Sequence, residues 1–85
     1  MQDLVDFYME VYISSPVGSG TEAAASDALN ILCGYTEPAT LADFLSEAHE
    51  AVSSSMARHD LASAQYYQEK IALLEQLQAQ LAQLA

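Results

Sequence analysis

The 85-residue sequence predicts an all-α fold, a small four-helix bundle with a long C-terminal helical hairpin extended by coiled-coil packing between chains. Three observations carry that expectation. Apolar residues recur at spacings of three and four through most of the chain. Pro and Gly gather in two short connectors, around 14–20 and 34–39. Hydrophobic residues make up 52% of the chain and charged residues 16%, the balance of a folded protein and not of an acidic disordered tail. Residues 1–85 are expected to form one domain with one core. A chain of this size buries only about 60–65% of its unfolded surface, so a partner or a second copy is a ready source of extra burial.

The first helix is expected over 2–14. Val5, Phe7, Met9, Val11 and Ile13 alternate like a strand, while Asp3, Asp6, Glu10 and Ser14 recur like a helix's polar stripe. Strand propensity is real here. A lone strand, however, leaves its backbone groups unpaired unless another chain supplies a neighbour. The helix is therefore the expectation, with an intermolecular strand over 5–13 as the alternative. Residues 14–20, with Pro16, Gly18 and Gly20, read as a connector and lack the Gly-Lys-Ser/Thr ending of a phosphate loop.

A second helix follows over 21–33, capped by Thr21 and ended by Gly34, with Ala25, Ala28, Leu29 and Leu32 as its buried stripe. Its small alanines permit close approach of a neighbour. After the connector 35–39, Thr40 and Asp43 read as a capping box for a third helix over 41–57. Leu41, Phe44, Leu45, Ala48, Val52 and Met56 are its expected core face, and Asp43, Glu47 and Glu50 form an acidic ridge opposite. A reversal at Arg58-His59-Asp60 is expected although no Gly or Pro enforces it; one long continuous helix is the competing reading.

The fourth helix, 61–84, has the clearest pattern. Tyr67, Leu74, Leu77, Leu81 and Leu84 hold heptad seam positions, interrupted by Lys70. At 1.5 Å per residue it runs ~36 Å against ~26 Å for its predecessor, so about 10 Å overhangs a simple hairpin. Leu77, Leu81 and Leu84 in that overhang need a partner, either the N-terminal helices or a second copy. They are the expected self-association residues, with uncharged Gln76, Gln78, Gln80 and Gln83 around them avoiding repulsion between copies.

Twelve acidic residues face two basic ones, for a net charge of −10. Residues 1–57 contain no Lys or Arg, yet carry Asp3, Asp6, Glu10, Glu22, Asp27, Glu37, Asp43, Glu47 and Glu50. Direct binding to nucleic acid or to anionic membranes is disfavoured, since both rely on Lys and Arg. An acidic field instead steers partners with a basic surface. Cys33 is alone, which excludes an internal disulfide, and it reads as a small core residue. The longest unbroken apolar run, Ile71 to Leu74, is far too short to span a bilayer, and the N-terminus lacks signal-peptide character. A cytoplasmic location is expected.

Catalytic and metal chemistry find little support in these residues. His49 and His59 stand ten apart, and no His-x-x-x-His or Cys-x-x-Cys spacing places two ligands on one helical face. Cys33 with either histidine lacks an identifiable orienting residue or oxyanion loop. No metal, cofactor or catalytic residue is expected. Tyrosine offers contact area with few rotatable bonds, and Tyr8 and Tyr12, one turn apart, share a face near Asp6 and Glu10. The expected partner-binding residues are thus Asp6, Tyr8, Glu10 and Tyr12, together with Asp43, Glu47 and Glu50 on the ridge. The function expected is a non-catalytic protein–protein interaction, as an adaptor, assembly chaperone or subunit that forms a homo-oligomer. The alternative is an acidic decoy occupying the nucleic-acid groove of a basic target, as phage-encoded anti-restriction and anti-CRISPR inhibitors do.

Overall fold

A computed structural model describes residues 2–84, and it is all-α: α1 (Gln2–Ser14), α2 (Gly20–Leu32), α3 (Thr40–Ala57) and α4 (Leu61–Leu84). The four helices fall where the hydrophobic period places them, and 5–13 are helical, so the intermolecular-strand alternative is overturned. Among the described residues no helix is long and apolar enough to cross a membrane.

α1 ends because Ser14 and Ser15 turn their hydroxyls back on its last turn, Ser14 Oγ donating to the Glu10 carbonyl and Ser15 Oγ to the Val11 carbonyl at 2.6 Å. Pro16 then prevents continuation. The N-cap of α2 is Ser19, two residues before the expected Thr21: Ser19 Oγ accepts from the Glu22 N–H at 3.1 Å, and Glu22 Oε1 accepts from the Gly18 N–H at 3.0 Å. Ser-x-x-Glu is a capping box, displaced here by one residue in its return bond. At the other end Gly34 adopts φ 85°, with its N–H on the Ile31 carbonyl and the Tyr35 N–H on the Asn30 carbonyl, the paired bonds of a Schellman motif.

The capping box expected at α3 does not form. Thr40 is already helical, its hydroxyl donates to the Glu37 carbonyl at 2.6 Å, and the N-cap Ala39 has no side-chain bond. The reversal after α3 is a second Schellman motif, with the His59 N–H on Met56 and the Asp60 N–H on Ser55. His59 occupies the left-handed position at φ 57°, where glycine is usual. Asp60 then caps α4, accepting from the Ser63 N–H and, at 2.7 Å, from its hydroxyl. One residue therefore closes α3 and the next opens α4.

α4 is the central element. α2 and α3 both pack on it, while α1 packs on α2. The core gathers Tyr8, Ala24, Ala25, Ala28, Ile31, Leu41, Leu45, Leu73, Leu74 and Leu77, with Leu4, Val11, Leu29, Phe44, Ile71 and Leu81 against it. α2 is packed between α1 and α4, and its core residues Ala24, Ala25 and Ala28 are small side chains that let helices approach from both flanks. The approach is close at Gly20, where a Cβ would run into the Tyr66 carbonyl oxygen of α4. The Gly20 N–H, one of the four donors a helix start leaves unsatisfied, is taken by Glu69 Oε1 at 3.0 Å. Lys70, which breaks the leucine seam, faces α2 and lies 3.5 Å from Asp27 Oδ2.

Two core expectations are corrected. Met56 is exposed and Ser55 is buried in its place, because the α3 stripe keeps the 3.5-residue period of a hairpin seam, 41, 45, 48, 52, 55. Cys33 is exposed at the C-cap of α2, not in the core.

Candidate interaction surface

Of the aromatic and acidic strip expected on α1, Tyr8 has left the surface. It is fully buried in the core, and its hydroxyl donates to Gln80 Oε1 of α4 at 2.6 Å. Burial pushes its hydroxyl pKa up to about 12. The physical reason lies in α1's packing: Leu4, Tyr8, Val11 and Ser15, at spacings of four, three and four, form the face turned inward. Gln80, expected only to keep charge away from a contact between copies, is the polar anchor tying α1 to α4.

The opposite face of α1 is exposed and is apolar as well as acidic. Ile13 is 74% exposed and Met9 45%, and with Asp6, Glu10 and Ser14 they line one shallow strip. Tyr12 and Phe7 are also exposed, the Phe7 ring meeting Tyr8 edge-on at 4.9 Å. All five residues of the strip belong to a single helix, so it is an open face and not an enclosed cavity. Asp6, Glu10 and Tyr12 are exposed, but Tyr8 does not share their surface. Met9 and Ile13 were missed, although each follows an expected acid, Asp6 or Glu10, by three residues and so falls on the same face.

Asp43, Glu47 and Glu50 are exposed along α3. Glu47 also borders a cleft of about 150 Å³ between α3 and α4, together with Phe44, Tyr67 and Lys70. Because α1 packs on α2 and α3 packs on α4, the two acidic groups sit on separate helices and do not merge into one constellation. Leu77 is fully buried in its own chain, Leu81 is half-buried against the core, and Leu84 is 60% exposed. Leu77 belongs to the chain's own core cluster, with Tyr8 of α1, Ile31 of α2 and Leu41 of α3.

His49 and His59 are both exposed. Among the described residues no three His, Cys, Asp or Glu side chains gather as a metal site would require. The Asp60 carboxyl is held below the usual range by the Ser63 hydroxyl first and its backbone N–H second. That is the chemistry of a helix cap. No protein-family model matches this chain, and comparisons with curated proteins and with solved structures likewise find no match.

Proposed function

We propose that this protein acts without catalysis, by binding a protein partner through the outer face of α1. The observation that carries the reading is that face itself: Met9, Tyr12 and Ile13 exposed beside Asp6 and Glu10, on a helix whose packing obligations are already met by Leu4, Tyr8 and Val11. Large apolar groups left in water cost free energy that a partner recovers, and rigid aromatic and aliphatic anchors ringed by polar groups are the usual make-up of an interaction patch. Self-association through Leu77, Leu81 and Leu84 is not part of this reading, because Leu77 is spent inside its own chain.

A second reading, the acidic decoy, draws on the ridge of α3, where Asp43, Glu47 and Glu50 are all exposed in a region of sequence without Lys or Arg. The two readings place the energy on different helices. The test compares capture from a cell extract by the intact protein, by Met9→Ser/Ile13→Ser and by Asp43→Asn/Glu47→Gln/Glu50→Gln, each band identified by mass spectrometry. Loss of one specific protein with the α1 variant alone supports the interaction reading. Loss with the α3 variant alone, at a steep salt dependence, favours the decoy.

A further inference from the structure

We infer that the occupant of the α1 face is a cationic amphipathic helix of another protein, about two turns of which lie along the strip from Asp6 to Ile13. This rests on the reading of that face as the binding surface, and names the chemistry it selects. At 100° per residue, Tyr12, Met9 and Ile13 follow one another around α1 and Asp6 and Glu10 come next, so an apolar half adjoins an acidic half. A complementary segment carries apolar residues at helical spacing and Lys or Arg on the adjoining side.

The acids decide against a second copy. Two α1 faces brought together would set Asp6 and Glu10 of one chain against those of the other, in molecules each carrying a net charge of −10. They decide equally against an anionic membrane or nucleic acid. The backbone decides against an extended strand. α1 is helical from Gln2 to Ser14, so its N–H and C=O groups are spent internally along the strip and leave no ladder to extend. Recognition must be by side chains, and a helix laid along a helix packs its ridge of residues into the groove between Met9 and Ile13. A basic residue of that helix then meets Glu10, and an Arg or Lys can lie over the exposed ring of Tyr12.

The test uses a synthetic Leu/Lys peptide of about four helical turns with its leucines on one face, a scrambled peptide of the same composition, and a Gln/Lys peptide of the same charge. Affinity is read by fluorescence anisotropy, and the contact by amide shift changes in ¹⁵N-labelled intact protein. The amphipathic peptide is expected to bind at least tenfold more tightly than either control, with shift changes centred on residues 6–13. Met9→Ser/Ile13→Ser, at two exposed positions, should keep the helical circular dichroism and lose at least tenfold in that affinity; Glu10→Gln should lose less, with a flatter salt dependence. Equal binding of the scrambled peptide, unchanged binding by the double variant, or shift changes centred on α3 would overturn the proposal. Should the double variant lose its captured cellular protein while the amphipathic peptide fails to bind, the α1 surface stands and this partner chemistry falls. Should the double variant lose neither, both fall.

Discussion

Gly20→Ala probes the close approach of α2 to α4. Gly20 is buried at the start of α2 without a left-handed φ, so alanine suits its backbone and gains up to about 1 kcal/mol of helix propensity. Against that gain stands a Cβ aimed at the Tyr66 carbonyl oxygen and, at 3.0 Å, at the Glu69 Cβ. A carbonyl inside α4 cannot turn aside as a flexible side chain would, so the start of α2 has to back away. Overpacking of this kind costs about 1–3 kcal/mol. Backing away also stretches the 3.0 Å bond from the Gly20 N–H to Glu69, a bond to a charged acceptor worth about 1.5–3 kcal/mol. The net expectation is a loss of about 2–3 kcal/mol, or roughly 10–20 °C in Tm for a domain of this size, read by thermal circular dichroism at 222 nm. Gly34→Ala is the control. At φ 85° and with nothing within 4 Å of the added Cβ, it should cost only the left-handed penalty of about 1 kcal/mol. A double-mutant cycle with Glu69→Ala should show strong coupling to Gly20→Ala and none to Gly34→Ala. A Gly20→Ala protein as stable as the parent would refute the close docking of α2 on α4.

Tyr8→Phe should cost about 1 kcal/mol through the lost bond to Gln80, where Tyr8→Ala should cost about 3–5 kcal/mol by emptying core volume. Because the folded hydroxyl titrates near 12 and the unfolded one near ~10, the folded state holds the extra proton between those values. Tyr8 therefore contributes full stability below the lower pKa and loses it as pH rises through the upper one; alkaline unfolding of the parent should show that loss, and Tyr8→Phe should not. His59→Gly relieves a left-handed strain of about 1–2 kcal/mol at an unfolded-state cost of about 0.5–1 kcal/mol, so the urea midpoint should rise by the equivalent of ~0.5–1 kcal/mol. An unchanged or lower midpoint would mean that His59 does not close α3 in this conformation. For Asp60, whose carboxyl is held low by Ser63, stability is present above the ordinary carboxylate range and is lost as pH falls through the lowered pKa. Asp60→Asn should keep the cap and flatten that acid limb, and an acid limb identical to the parent's would argue against the cap. Leu77→Ala should destabilise by about 2–5 kcal/mol and Leu84→Ala by less than about 0.5 kcal/mol, with the light-scattering mass unchanged by the latter.

Helix identity and helix bounds were legible because they depend on short-range rules. Spacing of apolar residues, Pro16 after two serines, Gly34 after α2 and Asp60 before α4 each act within a turn or two of chain, and each is visible in one dimension. Caps were legible less well. Ser19 and Thr21 are both competent N-caps, and the choice between them follows from Gly20 having to lie inside the helix, against α4. That is a contact between residues 49 positions apart, as the bond from Gly20 to Glu69 records.

The candidate surface divides the same way. Acidity without compensating cations is a property of composition, and it alone argues for partners of positive charge. Which aromatic and aliphatic groups stay in water is decided by how α1 rolls on α2. With Leu4, Tyr8 and Val11 inward, Tyr8 becomes core and finds Gln80, while Met9 and Ile13 are turned out. A rotation of one residue, 100° about the axis, would exchange those roles without altering the sequence pattern, because the alternating apolar residues of α1 offer two faces of similar hydrophobicity. Tertiary packing chooses between them: a tyrosine deep in a core needs a partner for its hydroxyl, and α4 supplies one at Gln80.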